Sequence, residues 1–235
     1  MRGDDTKDRI KLAAKRLFAE RGVDGVSIRE IVSAAGQRNV GSLHYYFRTK
    51  EALVRELIVD GVRHIDDRRN VMLDELEKKG GPKVLREVVD ILIMPAMGNK
   101  GTGEDDDTYF RFFLMLQLNH RQLFIDALGE QKHSGYERCV AHIKQLLPDV
   151  PAALLQQRMF FAALYISTAL AARESSAGGE GGRHPFWTLD YTMSNLADTV
   201  QALLECKAST QTTAALTPAQ FSKRGRRTMR LANAQ

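Results

Sequence analysis

The sequence predicts an all-α protein: an N-terminal three-helix helix-turn-helix domain and a larger C-terminal helical domain, about nine helices in all. Three observations carry this expectation. Apolar residues recur at helical spacing, beginning with Ile10, Ala13, Ala14, Leu17 and Phe18. Helix punctuation recurs as well, with Ser, Thr or Asn in front of apolar runs and Gly or Pro behind them. The first 78 residues show no strand signal at all. An apolar share of 43% is ample for a buried core.

The elements follow in order. The first helix is expected from about Lys7 to Arg21, capped by Asp5 or Thr6 and stopped by Gly22. Ser27-x-x-Glu30 is a capping box opening a second helix whose stripe is Ile28, Ile31, Val32 and Ala35. Gly36 ends it, since glycine accepts the positive φ of a helix C-terminus. Asn39 is the expected N-cap of a third helix running to Phe47. Thr49 caps a long fourth helix carried by Leu53, Val54, Leu57, Ile58, Val62 and Ile65 to about Glu77. Pro82 suits the first turn of a fifth, and Pro95 its end. Residues 98–107 read as a loop of Gly and acid. Helices are then expected over Tyr109–Asn119, Gln122–Leu147 (with a break near Gly129 or Gly135), Ala152–Glu174 and Trp187–Cys206. The tail, 207–235, has little periodicity and reads as disordered.

Charge is uneven along the chain. Residues 1–55 carry 12 Lys/Arg against 7 Asp/Glu, the tail carries 6 basic residues and no acid, and the middle is net acidic by 6. A basic head on an acidic body suits a polyanion partner for the head alone. Cys139 and Cys206 lie far apart with no metal spacing, so both read as free thiols of a reducing compartment. The charged N-terminus lacks the apolar run of a secretory signal, and no window reaches the length of a membrane span; a cytoplasmic protein is expected. No phosphate loop, nucleophile elbow or metal-spaced His/Cys set is present, which argues against an enzyme and against a metal or organic cofactor.

Two short helices, a tight turn and an apolar anchor are the layout that lays one helix in a major groove. Leu43, Tyr46 and Phe47 would anchor the third helix, Gly41 and Ser42 are small enough for close approach, and His44 and Tyr45 can reach base edges or phosphates. Ser27, Arg29, Arg38 and Asn39 are phosphate candidates, with Val40 beside them in the turn. The run Phe18-Ala19-Glu20-Arg21-Gly22, Ser27-Ile28-Arg29-Glu30-Ile31, Ala34-Ala35-Gly36 and Tyr46-Phe47-x-x-Lys50-Glu51-Ala52-Leu53 resembles the TetR family of one-component bacterial repressors over about Arg9 to Leu57. The turn Gln37–Val40 is one residue longer than that family's commonest spacing. The resemblance implies that Ser42, His44 and Tyr45 lie at the DNA surface and that Lys50 meets a phosphate.

It also implies a body, residues 56–206, that binds an effector and pairs with a second copy, behind a DNA-binding domain of residues 1–55 with its helix-turn-helix at about 27–47. Met94, Met97, Phe110, Phe113, Leu114, Gln117, Phe124, Met159, Phe160 and Tyr165 are the expected pocket residues. Ala163, Ser167 and Ala171 form a small-residue ridge, and Leu189, Met193, Leu196, Val200 and Leu203 an apolar stripe; both are expected at a homodimer interface. The expected function is a ligand-responsive repressor released from a palindromic operator in double-stranded DNA by a small apolar or amphipathic effector. The alternative is a ligand-independent DNA-binding protein of this fold whose body binds another protein. The basic tail, Lys223 to Arg230, would add non-specific DNA affinity.

Overall fold

The computed structural model describes residues 2–96, 108–129, 133–176 and 184–216, with side chains from residue 5 onward. Among the described residues there are eleven α-helices and no strand. They are α1 (Arg2–Arg21), α2 (Ile28–Ala34), α3 (Gly41–Phe47), α4 (Lys50–Lys78), α5 (Leu85–Ile93), α6 (Tyr109–Asn119), α7 (Arg121–Gly129), α8 (Ser134–Leu146), α9 (Ala152–Ser175), α10 (Thr192–Glu205) and α11 (Thr210–Ala215). Short 3₁₀ turns cover Met94–Ala96 and Pro185–Thr188.

Several expectations need correction. The segment after Asn119 is cut into α7 and α8 at Gly129, one of the two expected break points, but α11 adds an unexpected short helix in the tail, where Ser209 Oγ accepts from Thr212 N at 3.1 Å. The first helix starts at Arg2, earlier than Lys7. The fifth starts at Leu85 and not at Pro82, because the Glu87 carboxylate accepts from the Lys83 and Val84 amides (2.7 and 3.2 Å) and fixes the start there. The last long helix begins at Thr192, since Pro185–Thr188 is spent on a 3₁₀ turn. The third begins at Gly41, with Val40 as N-cap, one residue later than Asn39 implied. Met97, the acidic loop 98–107, residues 177–183 and the tail from 217, with its basic cluster, lie outside the described residues.

The chain forms two compact units. The first is drawn from residues 1–64, 101–132 and 167–184, the second from 65–100, 133–166 and 185–235. Helices α4 and α9 each contribute one end to each unit.

In the first unit α1 packs on α2 and α6. Ile10, Ala14 and Phe18 of α1, Ile31 and Val32 of α2, Leu43 and Phe47 of α3, and Leu53, Val54 and Ile58 of α4 share one core with Phe112 and Leu116 of α6. Phe18 and Phe112 stack with centroids 6.0 Å apart. Lys11 Nζ joins α1 to α4 through Asp60 Oδ2 (2.6 Å) and Glu56 Oε1 (2.5 Å). The N-terminus of α6 is capped by the buried Glu174 of α9, whose oxygens accept from Phe110 N (3.0 Å) and Arg111 N (2.8 Å).

In the second unit α5 packs on both α8 and α10, burying Val88, Val89, Leu92 and Ile93. Asp66 of α4, 5% exposed, caps α8 by accepting from Gly135 N (3.0 Å) and Tyr136 N (2.9 Å). The buried Arg158 of α9 does the reverse at α10, donating to the Leu204 carbonyl (2.8 Å) and to the Cys206 carbonyl. Arg86 ties α5 to α10 through Asp198 and Ser194 Oγ (3.0 Å).

One close approach depends on a missing side chain. A Cβ built at Gly61 of α4 would lie 1.9 Å from Tyr109 Cε2 of α6, so the ring rests directly on helix backbone. Gly61→Ala must push that ring aside and is expected to cost about 1–3 kcal/mol of stability. Urea denaturation checks this, and Gly61→Ala with Tyr109→Leu should lose less than the two single losses combined.

Candidate nucleic-acid interface

Residues 27–50 build a surface whose parts are fixed locally. Ser27 caps α2: its Oγ accepts from Glu30 N (3.3 Å) and donates to Glu30 Oε2 (2.7 Å), and its backbone N–H donates to the same oxygen (2.8 Å). Arg21 Nη2 reaches Glu30 Oε1 at 2.6 Å. The Ser27 hydroxyl first, then its amide and Arg21, hold the Glu30 carboxyl down from its ordinary 4.5 to about 2. Both polar groups of Ser27 are thereby committed within the chain.

At the other end of α2, Gly36 takes φ +68° and donates to the Ser33 carbonyl (3.0 Å), while Gln37 N reaches the Val32 carbonyl (2.9 Å). This double bond pattern terminates the helix and turns the chain toward α3. Asn39 Oδ1 accepts from Gly41 N at 2.8 Å, so Asn39 still satisfies the first amide of a helix that starts a residue later.

The inward face of α3 consists of Leu43 and Phe47, both buried, with Tyr46 half-buried beside them. The opposite positions, Gly41, His44, Tyr45 and Arg48, recur at i, i+3, i+4 and i+7 and are exposed together. Tyr45 is 81% exposed, its ring set edge-on to Tyr46 with centroids 4.9 Å apart. Ser42 and Val40 lie half-buried at the margin, and Ser27, Arg29, Arg38 and Asn39 are exposed around it. Lys50 is half-buried, its Nζ donating to the Val23 and Val26 carbonyls (both 3.1 Å). An ammonium has three N–H donors, so one remains for a phosphate. Four basic residues, Arg29, Arg38, Arg48 and Lys50, face a single acid here, Glu30, which Arg21 already pairs.

Arg48 was not among the residues the sequence singled out. It adopts φ +62°, and its carbonyl lies 2.8 Å from His44 Nδ1. Its position seven after Gly41, on the exposed face, was the signal available.

The tetR-family model of bacterial regulatory proteins matches residues 10–57, the segment that holds α2, α3 and their supports. Over this segment the chain is similar to the tetR family of bacterial regulatory proteins. Similar proteins include the HTH-type transcriptional regulator PksA of Bacillus subtilis, 27% identical over 146 residues, which cover 59% of this chain and 64% of that protein. The HTH-type transcriptional repressor KstR2 of Mycolicibacterium smegmatis is 32% identical over 68 residues, 29% of this chain and 33% of its own. The chain thus spans less than two thirds of the length of either relative. The tetR-type segment is a helix-turn-helix of a family of transcriptional regulators. Among the described residues no helix is long and apolar enough to cross a membrane, and no group of three or more His, Cys, Asp or Glu is placed to hold a metal ion.

The residues expected to line a pocket divide between the units. Phe110, Phe113, Leu114, Gln117 and Phe124 belong to the first, where Phe113 meets Phe124 edge-on at 4.5 Å. Met94, Met159, Phe160 and Tyr165 belong to the second. Met159 is buried there, but Met94, Phe160 and Tyr165 are exposed rather than enclosed. The dimer set divides too. Leu196 and Val200 of α10 are buried in the second unit, and Ser167 and Ala171 in the first, so none of the four offers a free face. Ala163 and Leu189 are exposed, Met193 and Leu203 half-buried. Among the described residues, the exposed large apolar groups of the second unit include Phe160, Phe161, Tyr165, Phe186, Leu189 and Tyr191.

Because the folded state lowers the Glu30 pKa, its contribution is full above about pH 4.5 and is lost as pH falls toward about 2. Glu30→Gln has no such titration. Thermal denaturation from about pH 5 to about pH 2 should therefore show the wild-type advantage over Glu30→Gln shrinking to nothing, with the sign set by the linkage of proton binding to folding.

Proposed function

We propose that the chain is a transcriptional repressor that binds a palindromic operator in double-stranded DNA as a homodimer and is released by a small apolar or amphipathic effector. The observation that carries DNA binding is the division of α3 into two faces. Leu43 and Phe47 are sunk in the core, which leaves Gly41, His44, Tyr45 and Arg48 as one outward row. Groove entry requires such a row, with a small residue at the near end and polar groups beyond it. Arg29, Arg38, Arg48 and the third proton of Lys50 supply phosphate contacts, and Asn39, Ser42 and Val40 border them. The printed names of the two relatives, one a regulator and one a repressor, favour the same reading.

One helix-turn-helix reads a half-site, so symmetry must supply the second. Phe160, Phe161 and Tyr165 of α9 support pairing, as does Tyr165 OH lying 3.0 Å from Thr199 Oγ1 of α10, which sets the two helices side by side at an exposed apolar surface. The effector reading rests on the ring cluster of the first unit. Gln117 Oε1 is buried there without a hydrogen-bond partner among the described residues. A ligand carrying one donor on an apolar frame would satisfy it.

Selection from a pool of duplexes with a randomised central segment tests the reading: enrichment of an inverted repeat supports it, and no retention at low salt refutes it. Arg29→Gln and Arg38→Gln should then each flatten the slope of log affinity against log salt, by about 0.9 for every phosphate that is no longer neutralised. The circular dichroism spectrum should stay unchanged in both. A panel of apolar compounds carrying a hydroxyl or amide should raise the melting temperature and release the duplex. No shift from any of them would favour a body that binds a protein partner instead.

A further inference from the structure

We infer that His44 is a specificity-determining residue that reads an exocyclic amine, on adenine or cytosine, in the major groove. The inference rests on the DNA-binding reading above and goes beyond it by assigning which hydrogen-bonding pattern the side chain recognises.

A neutral imidazole carries one proton, and which nitrogen holds it decides whether the outward edge donates or accepts. At His44 the choice is made by the backbone. Nδ1 lies 2.8 Å from the Arg48 carbonyl oxygen. A carbonyl can only accept, so Nδ1 must carry the hydrogen. In the neutral ring Nε2, on the other side, is then a bare lone pair. His44 is exposed, in register with Gly41 and Tyr45 on the outward row, and Gly41 one turn before it carries no side chain to block its approach.

The carbonyl that fixes the ring is itself fixed. Arg48 leaves the helix at φ +62°, a conformation that side chains other than glycine rarely take. Its N–H donates to the His44 carbonyl at 3.1 Å, so residues 44 and 48 are bonded twice, in opposite senses. On the far side Thr49 N reaches the Phe47 carbonyl (2.7 Å), and Thr49 Oγ1 accepts from Ala52 N (3.0 Å) at the start of α4. The peptide that presents the Arg48 oxygen is held from both directions, and the tautomer is set before any DNA arrives. In the major groove the amines of adenine N6 and cytosine N4 are the donors, while guanine offers only acceptors. On the strand it meets, a preset acceptor therefore favours adenine or cytosine over guanine or thymine.

The test uses the full chain and the randomised duplex pool, followed by half-sites in which each adenine is replaced by purine and each cytosine by pyrimidin-2-one, both lacking the amine. For wild type, amine removal at one position per half-site should weaken binding about ten-fold. In His44→Ala the same removal should change nothing, and the base preference at that position alone should be lost. His44→Gln, whose amide both donates and accepts, should bind duplex with adenine, cytosine and guanine tolerated there. The inference is overturned if His44→Ala keeps the wild-type preference at every position, or if no single amine removal, on either strand, weakens wild-type binding. Both results leave duplex binding intact, whereas failure of the wild type to retain any duplex would bring down the regulator reading itself.

Discussion

Seven residues make just under two helical turns, which is too short to hold a helix in water without tertiary support. Both α2 and α3 have that length, so their shape depends on the burial of Ile31, Val32, Leu43 and Phe47 in a core shared with α1, α4 and α6. The outward face of α3 is a by-product of that burial. Once Leu43 and Phe47 point inward, the helical period forces Gly41, His44 and Tyr45 outward, and Arg48 follows them just beyond the helix end. The polar contacts nearby, such as the Ser27–Glu30 box and Lys50 on the Val23 and Val26 carbonyls, settle where the short helices begin and how the preceding turn is braced.

Elsewhere the chain solves its helix ends by charge carried from a different helix. Glu174 and Asp66 present carboxylates to the N-termini of α6 and α8, and Arg158 presents a guanidinium to the C-terminus of α10. In each case the sign matches the dipole of the helix it meets. All three side chains are buried, so each is stabilised by hydrogen bonds that water would otherwise supply. Removing one partner would strand a charge or several backbone groups at once, which makes these contacts more consequential than the exposed ion pairs of the surface.

Local devices were legible in the sequence and distant ones were not. The capping box at Ser27, the glycine exit at Gly36 and the cap at Thr49 each depend on residues within a few positions, and all are present. The start of α3 slipped by one because the N-cap, Val40, has no capping side chain and Asn39 does the work from outside. Apolar periodicity announced α10 but could not say what its stripe would meet: Leu196 and Val200 are already buried, and α10 packs on α5. Likewise Phe160 and Tyr165 carry the composition of a core and lie on a surface. Asp66, Arg158 and Glu174 act across 46 residues or more, a separation over which no pattern in a single sequence is visible. Arg48 sits one position beyond the helix, where it reads as the helix's end rather than as part of its face.

The notch at Gly61 has a mechanical corollary. Helices packed by interchangeable aliphatic side chains can slip along one another, because one turn further on, about 5.4 Å, the surfaces look much alike. Here such a shift of α4 against α6 would carry Leu57 or Ile65 under the Tyr109 ring in place of bare backbone. Axial sliding is thereby blocked at a single tooth, and any rearrangement of these two helices is steered toward tilting or rotation about that point.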